Sequence, residues 1–312
     1  MTTYLVTGGA GFIGSHIATA LVERGDKVRV VDDLSSGFEK NLEHLRGDIE
    51  FVQGNAADPA LMLQLVEGVE VVYHEAALAS VPASVRDPMA SHQECATSTV
   101  NVLSCAQRAG VRRVVLAASS AAYGDRPKPV KQETDPLDPL SPYAAAKIAS
   151  EYYCQSFTKS MGLETVCLRY FNVYGPRQDP ASEYSAVIPI FVSKMLAGER
   201  PTIFGDGQQS RDFVFVSDVV AANLLAADSE KAVGESINIA CGRQSTLLDL
   251  VAAINSALGT NVEPEFAPPR AGDVRNSMAD ISKARECLGY EPQVDLAEGL
   301  KRSIEYYRSI VG

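Results

Sequence analysis

A glycine-rich turn between an apolar run and a helical pattern constrains the fold of this 312-residue chain more than any other feature. The turn, Thr7-Gly8-Gly9-Ala10-Gly11-Phe12-Ile13-Gly14, directly follows the apolar run Tyr4-Leu5-Val6. Its glycines allow the backbone to approach a pyrophosphate closely, and the helix N-terminus adds unpaired N–H groups and a positive dipole end. Asp32 ends the next apolar run, where a carboxylate can accept hydrogen bonds from both ribose hydroxyls and would repel a 2′-phosphate. The pattern predicts NAD, not NADP, as the cofactor.

Short apolar runs alternate with helical patterns through the first half of the chain. The runs are rich in Val, Leu and Ile on both faces, as in buried parallel strands, and we predict strands at 4–7, 28–32, 50–53, 70–74, 113–118, 164–170 and 235–240. Predicted helices lie near 12–24, 59–67, 89–109, 142–160, 183–197, 217–228, 245–258 and 295–308. This order predicts an α/β fold with a doubly wound parallel sheet of the Rossmann type.

The alternation breaks after Tyr170, where Pro, Gly and charged residues become more frequent. We expect residues 1–170 plus about 213–242 to form the cofactor-binding domain. Residues of about 171–212 and 243–312 are expected to form a smaller, discontinuous C-terminal lobe that binds substrate at the carboxyl ends of the strands.

The segment Ser141-Pro142-Tyr143-Ala144-Ala145-Ala146-Lys147 is the main candidate for catalysis. Tyr143 and Lys147 lie one helical turn apart on the same face, so the ammonium group favours ionisation of the phenol. Such a tyrosine can take a proton from a sugar hydroxyl as hydride leaves for NAD, and the same lysine can bond the nicotinamide ribose. Ser119 and Ser120 end the fifth predicted strand, where a hydroxyl can bond the same substrate oxygen.

The charge and the cysteines exclude several classes of protein. The net charge is −11, which disfavours nucleic acid and anionic membranes as partners, so an anionic substrate needs a local cluster of Arg or Lys. The six cysteines show neither a CxxC pair nor a zinc-like spacing, so we expect free thiols in a reducing cytosol and no metal. A strand begins almost at once, without a signal peptide or a membrane-spanning run, and we expect a cytoplasmic protein.

Several motifs, in order, resemble the extended short-chain dehydrogenase/reductase family. They are the TGGAGFIG turn, the SSAAYG strand end, the YxxxK helix and the segment Arg169-Tyr170-Phe171-Asn172-Val173-Tyr174-Gly175. Residues 204–213 and 270–277 are similar to the nucleotide-sugar-binding parts of UDP-hexose 4-epimerases. The similarity runs from about residue 3 to residue 308, and it implies an isomerase that keeps NAD bound and acts on a UDP-sugar.

The resemblance also implies roles for individual residues. Tyr143 would be the acid/base, with Lys147 and Ser119 as its catalytic partners. The cofactor-binding set would be Gly8, Gly11, Phe12, Ile13, Gly14, Asp32, Asp33, Ser36, Gly37, Asn55, Ala56, Ala76, Ala77, Tyr143, Lys147 and Tyr170. Asn172, Arg211 and Arg270 would hold the UDP diphosphate and Asp273 the uridine ribose. The full substrate-binding set would be Ser80, Ser119, Ser120, Tyr143, Asn172, Val187, Phe204, Arg211, Arg270, Asp273 and Ser277.

The two residues after Ser120 indicate the reaction. Relatives that dehydrate or decarboxylate the sugar carry an acidic residue just after the Ser/Thr of this strand end, whereas this chain has Ala121 and Ala122. Without that proton carrier, the expected reaction is oxidation at C4, rotation of a 4-keto sugar and return of the hydride to the other face. Tight NAD retention would protect that intermediate.

In the family that the chain resembles, one position limits the size of the sugar, and a small residue there admits an N-acetyl group; the resemblance implies that Ser277 is the matching position. Residues 78–82 and 177–180 resemble the UDP-N-acetylhexosamine epimerases. We therefore expect UDP-GlcNAc and UDP-GalNAc as substrates, with UDP-Glc and UDP-Gal as further candidates.

Two alternatives stay open at this point: a UDP-glucuronate 4-epimerase or another sugar-modifying relative, and a non-catalytic cofactor-binding regulator. Asn55 stands where the family commonly has Asp, and Phe213 where Tyr is frequent. The resemblance also implies a homodimer packed through the helices near 89–109 and 142–160.

Overall fold

The computed structural model describes residues 2–180, 186–269 and 275–311 of the chain. The strands are β1 Thr3–Thr7, β2 Lys27–Asp32, β3 Ile49–Gln53, β4 Val71–His74, β5 Arg113–Ser119, β6 Val130–Lys131, β7 Glu164–Tyr170, β8 Asn172–Tyr174, β9 Thr202–Phe204, β10 Ser210–Arg211, β11 Phe213–Phe215, β12 Ser236–Ile239, β13 Ser245–Thr246, β14 Glu265–Ala267 and β15 Met278–Ala279. Seven of them form a parallel central sheet in the order β12-β7-β5-β4-β1-β2-β3. The predicted Rossmann-type sheet is confirmed.

Helices cover both faces of this sheet. They are α1 Phe12–Glu23, α2 Pro59–Leu65, α3 Val81–Arg86, α4 Pro88–His92, α5 Ser98–Ala109, α6 Pro142–Met161, α7 Val187–Leu196, α8 Val216–Asp228, α9 Leu247–Leu258, α10 Ser282–Leu288 and α11 Leu296–Val311. α1 and α8 pack together on one face, and α2, α5 and α6 pack on the other.

The composition of β5 shows why the sheet has two apolar faces. Val115 and Ala117 belong to the core beneath α1 and α8, whereas Val114 and Leu116 belong to the core beneath α2, α5 and α6. Successive side chains of a strand point to opposite faces, so a strand covered on both sides must be apolar throughout. This arrangement leaves the carboxyl ends of the strands as the edge at which polar groups gather.

A second layer of packing lies beyond the sheet. α7, α9 and α11 share a separate hydrophobic cluster with β9 and β11. Phe12, the first residue of α1, also packs against that cluster. The start of α1 therefore lies where the sheet and the C-terminal elements meet.

The boundary between the two regions is interleaved. Ala279, Ile281 and Ala284 pack into the core of the sheet on its α1/α8 side, although our predicted division assigns them to the C-terminal lobe. That division remains a prediction.

The predicted helix near 89–109 is interrupted by a π-helical turn, Gln93–Thr97, between α4 and α5. The short helices α3 and α10 and the two-stranded pairs outside the main sheet were not predicted from the sequence. Within the described residues, the longest and most apolar helices still fall short of what crossing a bilayer requires.

Candidate active site

The glycine-rich turn joins β1 to α1 and is packed tightly against the end of β4. Gly8 has a φ of +66°, and a Cβ there would lie 2.6 Å from the backbone N of Ala76. A Cβ on Gly14 would lie 2.3 Å from the carbonyl oxygen of Gly8. Only glycine fits at these two positions, because a side chain at Gly8 would push the turn away from the strand end and one at Gly14 would clash with the turn itself.

The N-terminus of α1 emerges from this turn. Its N-cap is Gly11, which provides no side-chain hydrogen bond to the first turn, so the N–H groups there can bind an anion. The tight backbone approach and the uncapped helix end fit the pyrophosphate of a dinucleotide. Of the other predicted residues here, Ile13 packs against the core beneath α1.

Asp32 ends β2 beside the turn and is buried, with 7% of its surface exposed. One carboxylate oxygen accepts a hydrogen bond from the backbone N of Ala10 (2.9 Å) and the other accepts one from the backbone N of Leu34 (2.8 Å). Each oxygen keeps a lone pair that can accept a ribose hydroxyl. Loss of hydration raises the pKa of Asp32, and the two backbone donors oppose that rise.

The loop after β2 closes over this carboxylate. Gly37 is buried, and a Cβ there would lie 2.7 Å from Asp32 Oδ1, whereas Ser36 is exposed. Gly37 therefore contributes to the site by letting the loop pass close to Asp32.

Asn55 is held by protein groups on every side. Its amide nitrogen donates to Asp33 Oδ2 (3.1 Å) and to Glu94 Oε2 (3.0 Å), and its oxygen accepts from the backbone N of Ala57 (2.7 Å). The neutral amide thus separates two carboxylates that an Asp at the same position would repel. Ala56, beside it, is buried in the core beneath α2. Asp58 caps α2 by accepting from the backbone N of Ala60 and Leu61, which is a structural role.

α6 brings Tyr143 and Lys147 to the carboxyl ends of β4 and β5. Lys147 is 3% exposed and donates to the carbonyl oxygen of Ala117 in β5 (2.7 Å). Tyr143 is partly buried and packs in the same small cluster as Ala77 and Leu78, which come after β4. The Lys147 bond therefore fixes the rotation of α6 so that Tyr143 lies beside the β4 end.

The end of β5, which bears the hydroxyls of Ser119 and Ser120, lies next to the bond between Lys147 and Ala117. Ser119 is partly exposed, two residues beyond the carbonyl that Lys147 binds, and its Oγ accepts from the backbone N of Ala121 (3.2 Å). The hydroxyl proton can still be donated to a ligand. Ser120 follows as the first residue of a short 3₁₀ turn and is also partly exposed.

A buried ion pair ties α6 to the sheet. Glu151, one turn beyond Lys147, accepts three hydrogen bonds from Arg169 of β7 at 2.7–3.1 Å. Arg169 also donates to Tyr123 Oη (2.8 Å), and Tyr123 donates to Asn238 Oδ1 of β12 (2.6 Å). This network positions the helix that carries Tyr143.

Polar side chains at the ends of β4 and β7 are buried and hydrogen-bonded to one another. Tyr170 donates from its hydroxyl to Glu75 Oε1 (2.9 Å) and accepts from Asn223 Nδ2 (2.8 Å). His74 is fully buried against Thr7 (2.7 Å), and burial together with the nearby Lys147 charge lowers its pKa to about 3, so it is a neutral structural residue. No partner of Tyr170 could be predicted from the sequence, and Glu75 was not among the predicted site residues.

Three of the predicted substrate residues lie on or next to β8, β10 and β15: Asn172, Arg211 and Ser277. Asn172 Nδ2 donates to the carbonyl of Asp212 (3.2 Å), and the backbone N of Ser277 donates to the carbonyl of Ser210 (3.1 Å). Ser277 therefore lies beside Arg211, which is partly buried.

The remaining substrate residues are more dispersed. Ser80 caps α3 through the backbone N of Ala83, Val187 begins α7, and Phe204 ends β9. Arg270 and Asp273 lie outside the described residues.

Comparisons with known proteins agree with this geometry. The model of the NAD dependent epimerase/dehydratase family matches residues 4–240. A UDP-glucose 4-epimerase of Mycolicibacterium smegmatis is 42% identical over 98% of both chains. The structure of a UDP-glucose 4-epimerase from Thermotoga maritima with UDP-glucose superposes with a TM-score of 0.95 at 42% identity, over 100% of both chains.

Two further structures differ in the sugar they bind. A UDP-N-acetylglucosamine 4-epimerase from Methanobrevibacter ruminantium, in complex with UDP-N-acetylmuramic acid, gives a TM-score of 0.95 at 38% identity over 99% of both chains. A UDP-glucuronic acid 4-epimerase from Bacillus cereus, in complex with UDP-glucuronic acid and NAD, gives a TM-score of 0.91 at 30% identity, over 99% of this chain and 100% of that one.

Proposed function

Because the chain belongs to the NAD dependent epimerase/dehydratase family, we propose that it inverts C4 of UDP-N-acetylhexosamines, and of UDP-glucose and UDP-galactose. The chain is an isomerase that uses NAD and acts on a UDP-sugar, and the resemblance seen in its motifs is confirmed. The identity of the sugar and the roles of the individual residues are the proposal.

The groups at the carboxyl ends of β1, β2, β4 and β5 suit NAD. The pyrophosphate would lie on the Gly8–Gly14 turn and the helix N-terminus, with the adenosine ribose on Asp32. The nicotinamide half would then lie towards β4 and β5, where Lys147 can reach its ribose. Bound NAD supplies a reversible hydride acceptor for the sugar C4.

The residues around the nicotinamide half carry out the proton transfers. Tyr143 takes the proton of the C4 hydroxyl and returns it after the sugar has turned, so the same group serves both directions. Ser119 holds the C4 oxygen by a hydrogen bond and keeps it within reach of Tyr143. Lys147, fixed by its bond to Ala117, holds a positive charge one helical turn beyond Tyr143.

The observation that carries this proposal is the bond from Lys147 to Ala117, which places the Tyr143 helix against the strand end that bears Ser119. The residues after Ser120 are Ala121 and Ala122, so the acid that dehydration or decarboxylation requires is missing from that position. The reaction left to these groups is oxidation followed by reduction at C4.

Ser277 supports N-acetylated sugars as substrates. Its backbone N bonds the carbonyl of Ser210, the residue before Arg211, so its small side chain lies near the proposed diphosphate site. Arg211 and Asn172, with Arg270, would supply the positive and polar contacts to the diphosphate, and Asp273 would hold the uridine ribose.

A Ser277→Tyr variant tests the size limit. It should lose activity on UDP-GlcNAc first and keep most activity on UDP-Glc, while Ser256→Tyr, at an exposed serine of α9, should change neither. Equal loss of both activities in Ser277→Tyr would refute the assignment.

The direct test of function follows the anomeric protons by NMR. Purified protein is incubated separately with UDP-GlcNAc, UDP-Glc and UDP-glucuronic acid, with and without added NAD. We expect the C4 epimer from UDP-GlcNAc without added NAD. Turnover of UDP-glucuronic acid alone would instead favour the activity of the Bacillus cereus neighbour, and no epimer from any sugar would reject the proposal.

We also propose a homodimer formed through α4, α5 and α6. Large apolar side chains are exposed on α4 and α6, including Met89 (74%), Tyr152 (60%) and Tyr153 (45%). A double variant, Met89→Asp with Tyr152→Glu, should shift the mass measured by light scattering from two chains to one. A wild-type monomer at micromolar concentration would contradict the dimer.

A further inference from the structure

Glu75 is a carboxylate at a position that the proposed proton transfers do not use. It comes directly after β4, between β1 and β5 in the sheet, and its carbonyl carbon would lie 3.0 Å from a Cβ on Gly8. The residue therefore borders the turn on which the dinucleotide would lie. Glu75 thus follows the strand that lies between β1, which leads into the Gly8 turn, and β5, which bears Ser119.

The carboxylate is held in one orientation by neighbours from two other elements. Tyr170 of β7 donates to Glu75 Oε1 (2.9 Å), and Asn223 of α8 fixes the Tyr170 hydroxyl by donating to it (2.8 Å). Asn223 is itself anchored through the carbonyl of Val219 (2.9 Å). A glutamate that served only to fill space at a strand end would not need a tyrosine and an asparagine to orient it.

The electrostatic surroundings of Glu75 are simple. The positive charge that acts on it is the ammonium of Lys147, and the other titratable groups nearby, Tyr73, His74 and Tyr170, are neutral in the physiological range because burial shifts the pKa of each towards its uncharged form. Lys147 is already bonded to Ala117. When ionised, Glu75 is thus a fixed negative charge within electrostatic reach of Lys147, the residue that would bind the nicotinamide ribose.

We propose that the Glu75 carboxylate is a positioning charge that stabilises the oxidised, positively charged nicotinamide over the neutral reduced form. The proposal rests on the cofactor lying as described under the proposed function. When the sugar C4 gives up two electrons and a proton as hydride and the ring accepts them, the ring loses its positive charge. A neighbouring carboxylate opposes that loss, so return of the hydride to the 4-keto sugar is favoured and the keto sugar stays short-lived.

The protonation of Glu75 gives this effect a defined pH dependence. Loss of hydration raises the pKa of Glu75 to about 7, while the Tyr170 hydrogen bond and the Lys147 charge oppose the rise. Below that pH the carboxyl is neutral and contributes no charge. The preference for the oxidised ring should therefore grow as the pH rises through about 7.

The test is a redox titration of the NAD-loaded protein with mediator dyes, read by the absorbance of the reduced nicotinamide, without any sugar. At an effective dielectric constant of about 20, a unit charge roughly 10 Å away shifts an equilibrium about tenfold. Glu75→Gln should therefore raise the reduced-to-oxidised ratio at fixed potential about tenfold at about pH 8.5, equal to about 30 mV for a two-electron couple. At about pH 5.5 the variant and the wild type should coincide.

Two further variants separate the effect of Glu75 from that of any other charge. Glu67→Gln, at an exposed glutamate before β4, removes the same charge elsewhere and should leave the ratio unchanged. Tyr170→Phe keeps the carboxylate but removes its donor, so the pH at which the wild-type ratio changes should rise. If Glu75→Gln does not fold, the Tyr170→Phe shift alone decides the proposal.

The proposal is overturned if Glu75→Gln matches the wild type on the alkaline side, or if Tyr170→Phe leaves the pH dependence unchanged. Failure of the proposed function is separate, because the titration requires bound NAD and no turnover. An inactive protein that shows the Glu75 effect would retain this inference and reject the 4-epimerase assignment.

Discussion

Replacing Glu151 by glutamine should destabilise the protein more than any surface charge change. Glu151 and Arg169 have side chains only 2% and 4% exposed, and Glu151 also accepts a hydrogen bond from Ser236 Oγ (2.8 Å). The variant leaves the Arg169 charge buried without its counterion, which costs about 3–5 kcal/mol. For a chain of this size, at about 2 °C per kcal/mol, Tm should fall by roughly 6–10 °C.

The same change should slow the reaction. α6 carries Tyr143 and Lys147 on the turns before Glu151, so a shift of the helix moves both groups. A displacement of about 1 Å can reduce turnover about 100-fold. Binding of NAD at the Gly8 turn should change much less, because that turn is held by β1 and β4.

The assay is urea unfolding followed by circular dichroism, together with kcat from the NMR experiment. The control is Glu298→Gln, which removes a glutamate from an exposed pair with Arg302 (2.8 Å, side chains 45% and 49% exposed) and should cost under about 1 kcal/mol. A loss below about 1 kcal/mol in Glu151→Gln, or an unchanged kcat, would refute the view that this buried pair positions α6.

Three further predictions use other parts of the structure. Lys147→Met should lower kcat by about 10²–10⁴ in the NMR assay, while Lys159→Met, at an exposed position of the same helix, should not. Asp32→Ala should shift the ratio of the Kd values for NAD and NADP at least about tenfold towards NADP, because repulsion of the 2′-phosphate is removed. Calorimetry measures both Kd values, and an unchanged ratio would contradict the role assigned to Asp32. Burial and the Arg177 charge lower the pKa of His16 to about 4, so the unfolded chain binds the extra proton and stability should fall by about 2 kcal/mol from about pH 7 to about pH 5. In urea unfolding, His16→Gln should lose that part of the pH dependence. If the unfolding free energy changes equally with pH in both proteins, a group other than His16 causes the change.

The main sheet could be predicted from the sequence because its strands are local and strongly patterned. Residues 114–118 are apolar on both faces, and the structure places them in β5 between Arg113 and Ser119. The Gly8 turn was equally clear, because its glycine spacing directly follows an apolar run; in the structure, the backbone of Ala76 leaves no room for a Cβ on Gly8.

The elements that were missed depend on distant contacts. β15 exists because Met278 and Ala279 pair with Val130 and Lys131, and two residues carry too little pattern to reveal such a pairing. α3 has six residues, and its main local signal is the Ser80 cap before Pro82.

In the candidate site, too, local residues could be predicted from the sequence and residues joined by distant contacts could not. Tyr143 and Lys147 are one turn apart in the chain, so their shared face could be predicted. Glu75 could not be assigned, because Tyr170 lies 95 residues away in sequence and joins it only in the folded sheet. A charged residue among the small residues after a buried strand was the one signal available.

In the proposed mechanism, hydride leaves the sugar C4 and returns to the same carbon. The most direct test uses UDP-GlcNAc carrying deuterium at C4, incubated with the purified protein in ordinary water and followed by NMR and mass spectrometry. We predict that the C4 epimer forms with its deuterium retained at C4, because the label is held on the bound cofactor between the two steps. Epimer that has exchanged its deuterium for solvent hydrogen would show that C4 is inverted by proton removal instead, and would contradict hydride transfer as the mechanism.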